Sequence, residues 1–340
     1  MSGLFDIDAT IIKNETPLTE AFMPERLLHR EGQKQYLASC MKPVVAGRAP
    51  RNVFLFGPTG VGKTSLLRWM TEELEDTTDN VKTVYVNCWK NTTPHAIVSK
   101  IVSDLRIFTN PKKQTLELLE DLNSYLSKSS KKIIIALDEV DRIADYDILY
   151  DFTRNGYGLV LISNDEFALV DVDARIKSSL SLETVEFKAY TTQEMFEILK
   201  DRANIAFVPG SIDDVFTKVA AVNADGDARV GIEILRKAAL FAEDEGKKRI
   251  EKEHIIRARK DALHLKTSQI LGTLTEDHKL LFQIISEKQN ILSSELHEEY
   301  KTRAKAPISE RTYRKYLSAL TSLRLVKATG DVRWRSYSLV

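Results

Sequence analysis

The first 190 residues alternate short apolar runs with stretches of helical spacing. Val53-Phe54-Leu55-Phe56, the apolar part of residues 131–139 (KKIIIALDE) and residues 158–163 (GLVLIS) are nearly continuous in apolar character, as strands covered on both faces of a parallel sheet must be. Residues 81–87 (VKTVYVN) read as a further strand of the same sheet. Helical spacing over 96–105 and 116–126 separates these runs, which predicts an α/β layered domain. From 191 to 270 the strand pattern gives way to helices. Two of them cover 193–203 and 211–221, the second with Ser211 as N-cap and Asp213 and Asp214 in its first turn. After 272 a third pattern begins. Helices are expected over 275–286, over 293–300 with Ser293 as N-cap, and from Ser309 onward. On the last, Tyr313, Tyr316, Leu317 and Leu320 recur at i, i+3, i+4 and i+7 and face a core, with Arg311, Arg314, Lys315 and Ser318 opposite. Residues 325–329 and 332–339 flank Gly330-Asp331 as a hairpin. Three helices and a hairpin describe a winged helix. The expected domains are therefore 1–188 (α/β), 189–272 (a helical lid) and 273–340 (a winged helix).

Composition removes several classes of protein. With 43% hydrophobic and 29% charged residues the chain is ordinary for a globular protein. No run has the length of apolar residues needed to span a bilayer, and the N-terminus MSGLFDIDAT lacks a signal-peptide pattern, so no membrane partner and a cytoplasmic setting are expected. Cys40 and Cys88 are the only cysteines and are far apart; they are expected as reduced thiols, with no disulfide framework. The net charge of zero conceals an asymmetry. Residues 301–340 hold ten Lys/Arg against two acids, so this end carries +8 and the rest of the chain −8. A basic end is the footprint of a polyanion-binding module.

The chemistry is carried first by Gly57-Pro58-Thr59-Gly60-Val61-Gly62-Lys63-Thr64, a complete G-x-x-x-x-G-K-[ST] loop between an apolar strand and a helix that continues through Ser65. Strand, glycine-rich turn and helix N-terminus together aim backbone N–H groups at one spot, which suits a polyphosphate. Lys63 reaches the outer phosphates and the Thr64 hydroxyl ligates Mg²⁺. ATP or ADP with Mg²⁺ is therefore the expected cofactor set. Asp138 and Glu139 end an apolar strand, where ligands of parallel sheets sit. Asp138 fits a metal-holding role and Glu139 a base that polarises the attacking water. Asn164, at the tip of the third strand, fits a group that orients that water. Gly226-Asp227 reads as a turn and cap that places Arg229 in the first turn of a lid helix, within reach of a nucleotide held between domains.

Phosphate loop, Asp-Glu strand, Asn-tipped strand, Asp173-Ala174-Arg175-Ile176-Lys177-Ser178-Ser179-Leu180 and Gly226-Asp227-Ala228-Arg229 stand in the order of the AAA+ ATPases. There they correspond to Walker A, Walker B, sensor 1, the arginine-finger region and sensor 2. With Phe22-Met23-Pro24-Glu25-Arg26-Leu27-Leu28-His29-Arg30-Glu31, the chain more narrowly resembles the archaeal origin-recognition and helicase-loading initiators over residues 14 to 340. Leu28 and Ala174 stand where that family usually has proline. The resemblance implies that His29, Arg30, Tyr190 and Arg202 lie beside the nucleotide, and that Arg175, or alternatively Lys177, is the finger offered to a neighbouring subunit. It implies slow ATP turnover acting as a switch. The implied partners are double-stranded origin DNA, an MCM-type replicative helicase and related initiator paralogues, in the nucleoid of an archaeal cell.

On this reading the helix bearing Arg311, Arg314, Lys315 and Ser318 lies in the major groove, and the hairpin with Arg333 and Arg335 contacts the adjacent backbone. Lys112 and Lys113 form a second DNA surface, where the resembling family carries a DNA-touching insertion. The alternative is a signalling-type NTPase switch whose winged helix serves packing or transcriptional regulation.

Overall fold

The computed structural model describes residues 11–110, 113–129, 131–272, 274–323, 325–330 and 335–339, with the side chains of 263–270, 272 and 322 left aside. The chain forms two compact units, 1–259 and 260–340.

The first unit opens with helix α1 (Glu31–Met41) and strand β1 (Val53–Phe56). Then come α2 (Lys63–Thr77), β2 (Val81–Asn87), α3 (Pro94–Asp104), α4 (Thr115–Lys128), β3 (Lys132–Asp138), α5 (Asp147–Arg154), β4 (Gly158–Ser163), α6 (Ala174–Leu180) and β5 (Glu183–Glu186). The strands form one parallel sheet in the order β2-β3-β4-β1-β5. Its centre is β3, β4 and β1, whose residues are almost all buried, and the branched and aromatic chains of one face pack into a continuous core with α3, α4 and α5. That double coverage explains the unbroken apolar runs. The register aligns the strand ends: Phe56 pairs with Ser163, and Asp138 with both Asn87 and Ile162. The carboxyl ends of four strands thus open at one edge, where the site lies.

The pattern-based expectation missed β5 and α5. Glu183-Thr184-Val185-Glu186 buries only Val185 and forms the sheet edge beside β1, so it lacks the apolar signature of the central strands.

Four helices follow: α7 (Thr192–Ala206), α8 (Asp214–Ala224), α9 (Ala228–Asp244) and α10 (Lys252–Gly272). The N-cap of α8 is Asp213, which accepts the Val215 N–H at 2.8 Å, and not Ser211. Ser211 is buried and used elsewhere: its hydroxyl donates to Val208 O and its carbonyl accepts from Ile250 N–H. The two compact units part within α10, at 259/260, earlier than the expected break at 272/273. A helix running through a boundary leaves no turn signal in the sequence to mark it.

The second unit contains α11 (Glu276–Lys288), β6 (Asn290–Leu292), α12 (Ser293–Arg303), α13 (Glu310–Ser322), β7 (Val326–Thr329) and β8 (Ser336–Leu339). Its sheet has three strands, β6-β8-β7, all antiparallel, where a two-stranded hairpin was expected. The residue at the N-cap of α12 is Leu292, and Ser293 is the first helical residue, its N–H donating to Arg335 O at 2.8 Å. The extra strand and the shifted cap have one cause: the chain entering α12 pairs with β8 before it turns. Tyr313, Leu317 and Leu320 of α13 pack with Leu281, Ile285, Leu296 and Tyr300 in the core of this unit, and Tyr316 lies against it.

Candidate nucleotide site and nucleic-acid interface

Between the sheet edge and the lid lies a cleft of about 490 Å³. The phosphate loop forms its floor. Gly62 takes a left-handed conformation (φ 89°) as the residue before α2, so the chain turns directly from loop into helix. The Lys63 ammonium is buried and donates to Gly57 O at 2.7 Å, Pro58 O at 2.7 Å and Asn164 Oδ1 at 2.9 Å. Burial lowers its pKa to about 8, opposed by the charge of Asp138. The ammonium is thus held in place among polar acceptors, its desolvation only partly offset by Asp138, Asp227 and Glu139. A polyphosphate would supply further compensating charge.

Asp138 is buried at the end of β3. Its Oδ2 accepts the Thr64 hydroxyl at 2.7 Å and the Tyr85 hydroxyl at 2.8 Å, and its Oδ1 accepts the Glu139 N–H at 2.9 Å. Among the described residues no group of three or more His, Cys, Asp or Glu could hold a metal ion by itself. Thr64 and Asp138 form a two-ligand set of the kind that binds Mg²⁺ together with substrate phosphates, and the Thr64–Asp138 contact brings both oxygens to one point. Glu139 is half-buried in a left-handed backbone conformation (φ 57°), uncommon for a residue with a side chain. Burial, with Asp138 and Asp141 adding to it, raises its pKa. A carboxylate of raised basicity at the mouth of a phosphate site suits general-base work.

The lid closes the cleft from above. Asp227 caps α9, accepting the Arg229 N–H at 3.1 Å, and its other carboxylate oxygen accepts the Thr59 hydroxyl at 3.2 Å. The Ala228 N–H donates to Gly60 O at 3.0 Å. Arg229 lines the cleft with its guanidinium half-exposed and its Nε 3.5 Å from Asp227 Oδ1. Phe22, Met23, Pro24, Leu27, Leu28 and, from α7, Ile198 give the cleft an apolar lining suited to a base. Arg202 stacks over Phe22 at 4.4 Å, donates to Pro17 O at 3.2 Å and lines the cleft, as does Tyr190.

Loop residues Thr59 to Thr64, Ser65, Asp138, Glu139, Asn164, Tyr190, Arg202 and Arg229 therefore converge on one cleft. Gly57 and Pro58 are not on its wall and act through the carbonyls that hold Lys63. His29 and Arg30 also lie off the wall. The buried Arg30 guanidinium is spent on Val61 O, His29 O and Lys188 O and stacks at 3.8 Å on Tyr190, so it braces the loop from behind. His29 pairs with Glu197 at 2.9 Å. Arg175 is exposed, paired with its own helix cap Asp173 at 3.1 Å, and outside the cleft. Sequence reasoning passed over Tyr85 and Asp227. The first was signalled by the alternation along β2, which points residues 83, 85 and 87 the same way. The second was read only as a cap.

In the second unit Arg311, Arg314, Lys315 and Ser318 share the exposed face of α13, where Arg314 is hydrogen-bonded to Glu310. Arg335 is exposed ahead of β8. Lys112 and Arg333 lie outside the described residues. In the first unit Lys113 is paired with Asp121 at 2.7 Å, and nearby Phe108 is fully exposed. None of the helices among the described residues is long and apolar enough to cross a membrane.

Comparison with known proteins accounts for this arrangement. Residues 47–170 match the AAA domain model, and residues 196–260 match the Cdc6 AAA+ ATPase-type lid domain. The ORC1-type DNA replication protein 9 of Halobacterium salinarum is 32% identical over 97% of this chain and 94% of its own length. The ORC1-type DNA replication protein 1 of Sulfurisphaera tokodaii is 30% identical over 94% and 86%. The Aeropyrum pernix ORC1 protein, whose structure was solved in complex with DNA, superimposes with a TM-score of 0.77 at 30% identity, covering 97% of this chain and 94% of that one. The chain belongs to the ORC1-type family of DNA replication proteins, AAA+ ATPases of the ORC/Cdc6 kind.

Proposed function

We propose that this protein is an ATP-controlled replication initiator that binds double-stranded origin DNA and helps recruit or load the replicative helicase, an MCM-type ring by family resemblance. The observation that carries the DNA reading is the division of α13: one face is buried as Tyr313, Leu317 and Leu320, and the other presents Arg311, Arg314, Lys315 and Ser318. A helix held rigidly by its apolar face, with cations and a hydroxyl opposite, is suited to a major groove. Arg335 and Arg333 would meet the adjacent backbone. Lys112, Lys113 and the exposed Phe108 would offer a second contact from the ATPase unit, since cations hold phosphate and an exposed aromatic can wedge between base steps. The relative from Aeropyrum pernix was solved on DNA, which supports the same class of partner here. Related initiator paralogues are the proposed protein partners, in the nucleoid of the cytoplasm.

At the ATPase site Lys63 and the loop N–H groups bind the phosphates, while Tyr190, Arg202 and the apolar lining hold the base. Thr64 and Asp138 would hold Mg²⁺, which when bound neutralises phosphate charge and polarises the transferred group. Glu139 takes a proton from the attacking water, Asn164 orients that water, and Arg229 carries phosphate occupancy to the lid. Arg175, with Lys177 beside it, would serve a neighbouring subunit. Footprinting of the purified chain across its host's replication origins, with ATP and with ADP, tests the reading. Protection confined to origins and altered by the nucleotide is expected. An absence of protection in both states would favour a nucleotide-switched signalling protein.

A further inference from the structure

Tyr85 sits on β2 abreast of Ala136 on β3, two residues before the Asn87–Asp138 pair. Its hydroxyl crosses to Asp138 and donates to Oδ2 at 2.8 Å, the oxygen that also receives Thr64. The Glu139 N–H occupies Oδ1. Three donors from three segments thus fix both oxygens of one carboxylate, which removes its freedom to rotate. Thr64 and Glu139 have tasks of their own in the ATPase site. Tyr85 adds a donor that is neither a phosphate-loop group nor one of the two metal-holding groups, and its ring is steadied by the Arg68 guanidinium lying 5.0 Å above it. Groups that hydrogen-bond to a metal ligand set its orientation, and losing one commonly costs 10–100-fold in metal affinity.

We propose that Tyr85 is a positioning residue for the divalent cation of the ATPase site, its hydroxyl holding the Asp138 carboxylate in the orientation from which it binds the metal. This rests on the reading of Asp138 as a metal-holding group. Nucleotide contacts that need no metal do not depend on the hydroxyl, and metal-dependent contacts do. A phenylalanine keeps the ring, its packing and its contact with Arg68, so Tyr85→Phe removes the donor alone and leaves the fold intact.

The test is ADP affinity of the full-length chain measured over a range of free Mg²⁺ and in EDTA, for wild type, Tyr85→Phe and Asp138→Asn. Tyr85→Phe should raise the half-saturating Mg²⁺ concentration about tenfold while ADP affinity in EDTA stays within about twofold of wild type. Asp138→Asn should raise it further. Mn²⁺ binding in the presence of ADP, followed by electron paramagnetic resonance, should weaken in the same order. Coincident Mg²⁺ curves for Tyr85→Phe and wild type, with Asp138→Asn displaced, would overturn the role of Tyr85 alone. If Asp138→Asn is not displaced either, the metal-holding reading of Asp138 falls with it. Tyr85 itself lines the cleft, so equal losses for Tyr85→Phe in EDTA and in Mg²⁺ would mean that its hydroxyl meets the nucleotide directly, and would overturn the proposal too.

Discussion

The Asp227 carboxylate occupies the space that a side chain at Gly60 would need: a Cβ there would sit 1.7 Å from Asp227 Oδ1. Gly60 is a variable position of the phosphate-loop motif, so the chemistry of phosphate binding does not by itself demand glycine. The lid demands it, because α9 begins against the loop backbone and its cap rests on Thr59 and Gly60. One residue thereby caps a lid helix and ties the lid to the phosphate-loop motif. Gly60 also adopts φ +70°, which adds a conformational cost to any side chain.

Two substitutions separate these effects. Thr59→Ala removes the hydroxyl that meets Asp227 and leaves the cap on α9 in place. A hydrogen bond to a charged partner contributes about 1.5 kcal/mol, so ADP should leave the variant roughly tenfold faster. Gly60→Ala should displace the lid itself, visible as a changed small-angle scattering profile. Release rates equal to wild type in Thr59→Ala would mean that this bond does not hold the lid.

Lys63→Ala should abolish ATP binding, because the buried ammonium is the cation proposed to meet the outer phosphates. Glu139→Gln should bind ATP as wild type does and slow its hydrolysis by about 10²–10⁴-fold, the usual contribution of a general base. Equilibrium binding and single-turnover hydrolysis, measured side by side, distinguish the two. Normal turnover in Glu139→Gln would move the base to another residue.

Lys63 also sets a pH dependence. Burial holds its pKa at about 8 in the nucleotide-free chain, and bound phosphates favour its charged form, raising that pKa. Binding above pH 8 therefore takes up a proton. ADP affinity should fall as pH rises through 8, approaching tenfold per unit. Calorimetry at pH 8.5 in buffers of different ionisation enthalpy should register the uptake, and Lys63→Arg should abolish it. The sign for the free chain is the reverse: between about 8 and 10.5 the unfolded state binds more protons, so stability rises with pH over that window. A pH-independent affinity would place the ammonium in a better-compensated environment than its burial implies.

The sequence made the phosphate loop, the Asp138–Glu139 strand and Asn164 legible because each joins a fixed local pattern to a strand end. It made the division of α13 legible for the same reason, since helical spacing is local. Contacts between distant segments were not legible. Arg30 lies in a segment resembling a nucleotide-proximal signature, yet its guanidinium turns to the carbonyls of Val61 and Lys188, a use that depends on the backbone of another segment. Tyr85 bonds across a strand pair, and β5 is an edge strand too polar to announce itself. The break within α10 is hidden because helical periodicity continues through it.

The proposed DNA surface gives the last prediction, and the pairing of its cations sharpens it. Binding of the whole chain to duplex DNA should weaken steeply with salt, since each neutralised phosphate releases condensed counterions. Arg335→Ala should weaken binding to all sequences alike and lower the salt slope by about one. Arg311→Ala and Arg314→Ala, on the face that would meet base edges, should in addition relax sequence preference, by about 1–3 kcal/mol where a bidentate guanine contact is lost. Arg314 is held by Glu310 in the free chain, so Glu310→Ala releases it and should tighten binding. Lys113 is likewise committed to Asp121, so Lys113→Ala should change the slope less than Arg335→Ala does. Filter binding or fluorescence anisotropy from about 50 to 200 mM salt resolves these differences. A salt slope that none of the four cation-removing substitutions (Arg335, Arg311, Arg314 or Lys113 to Ala) moves would take DNA off both surfaces.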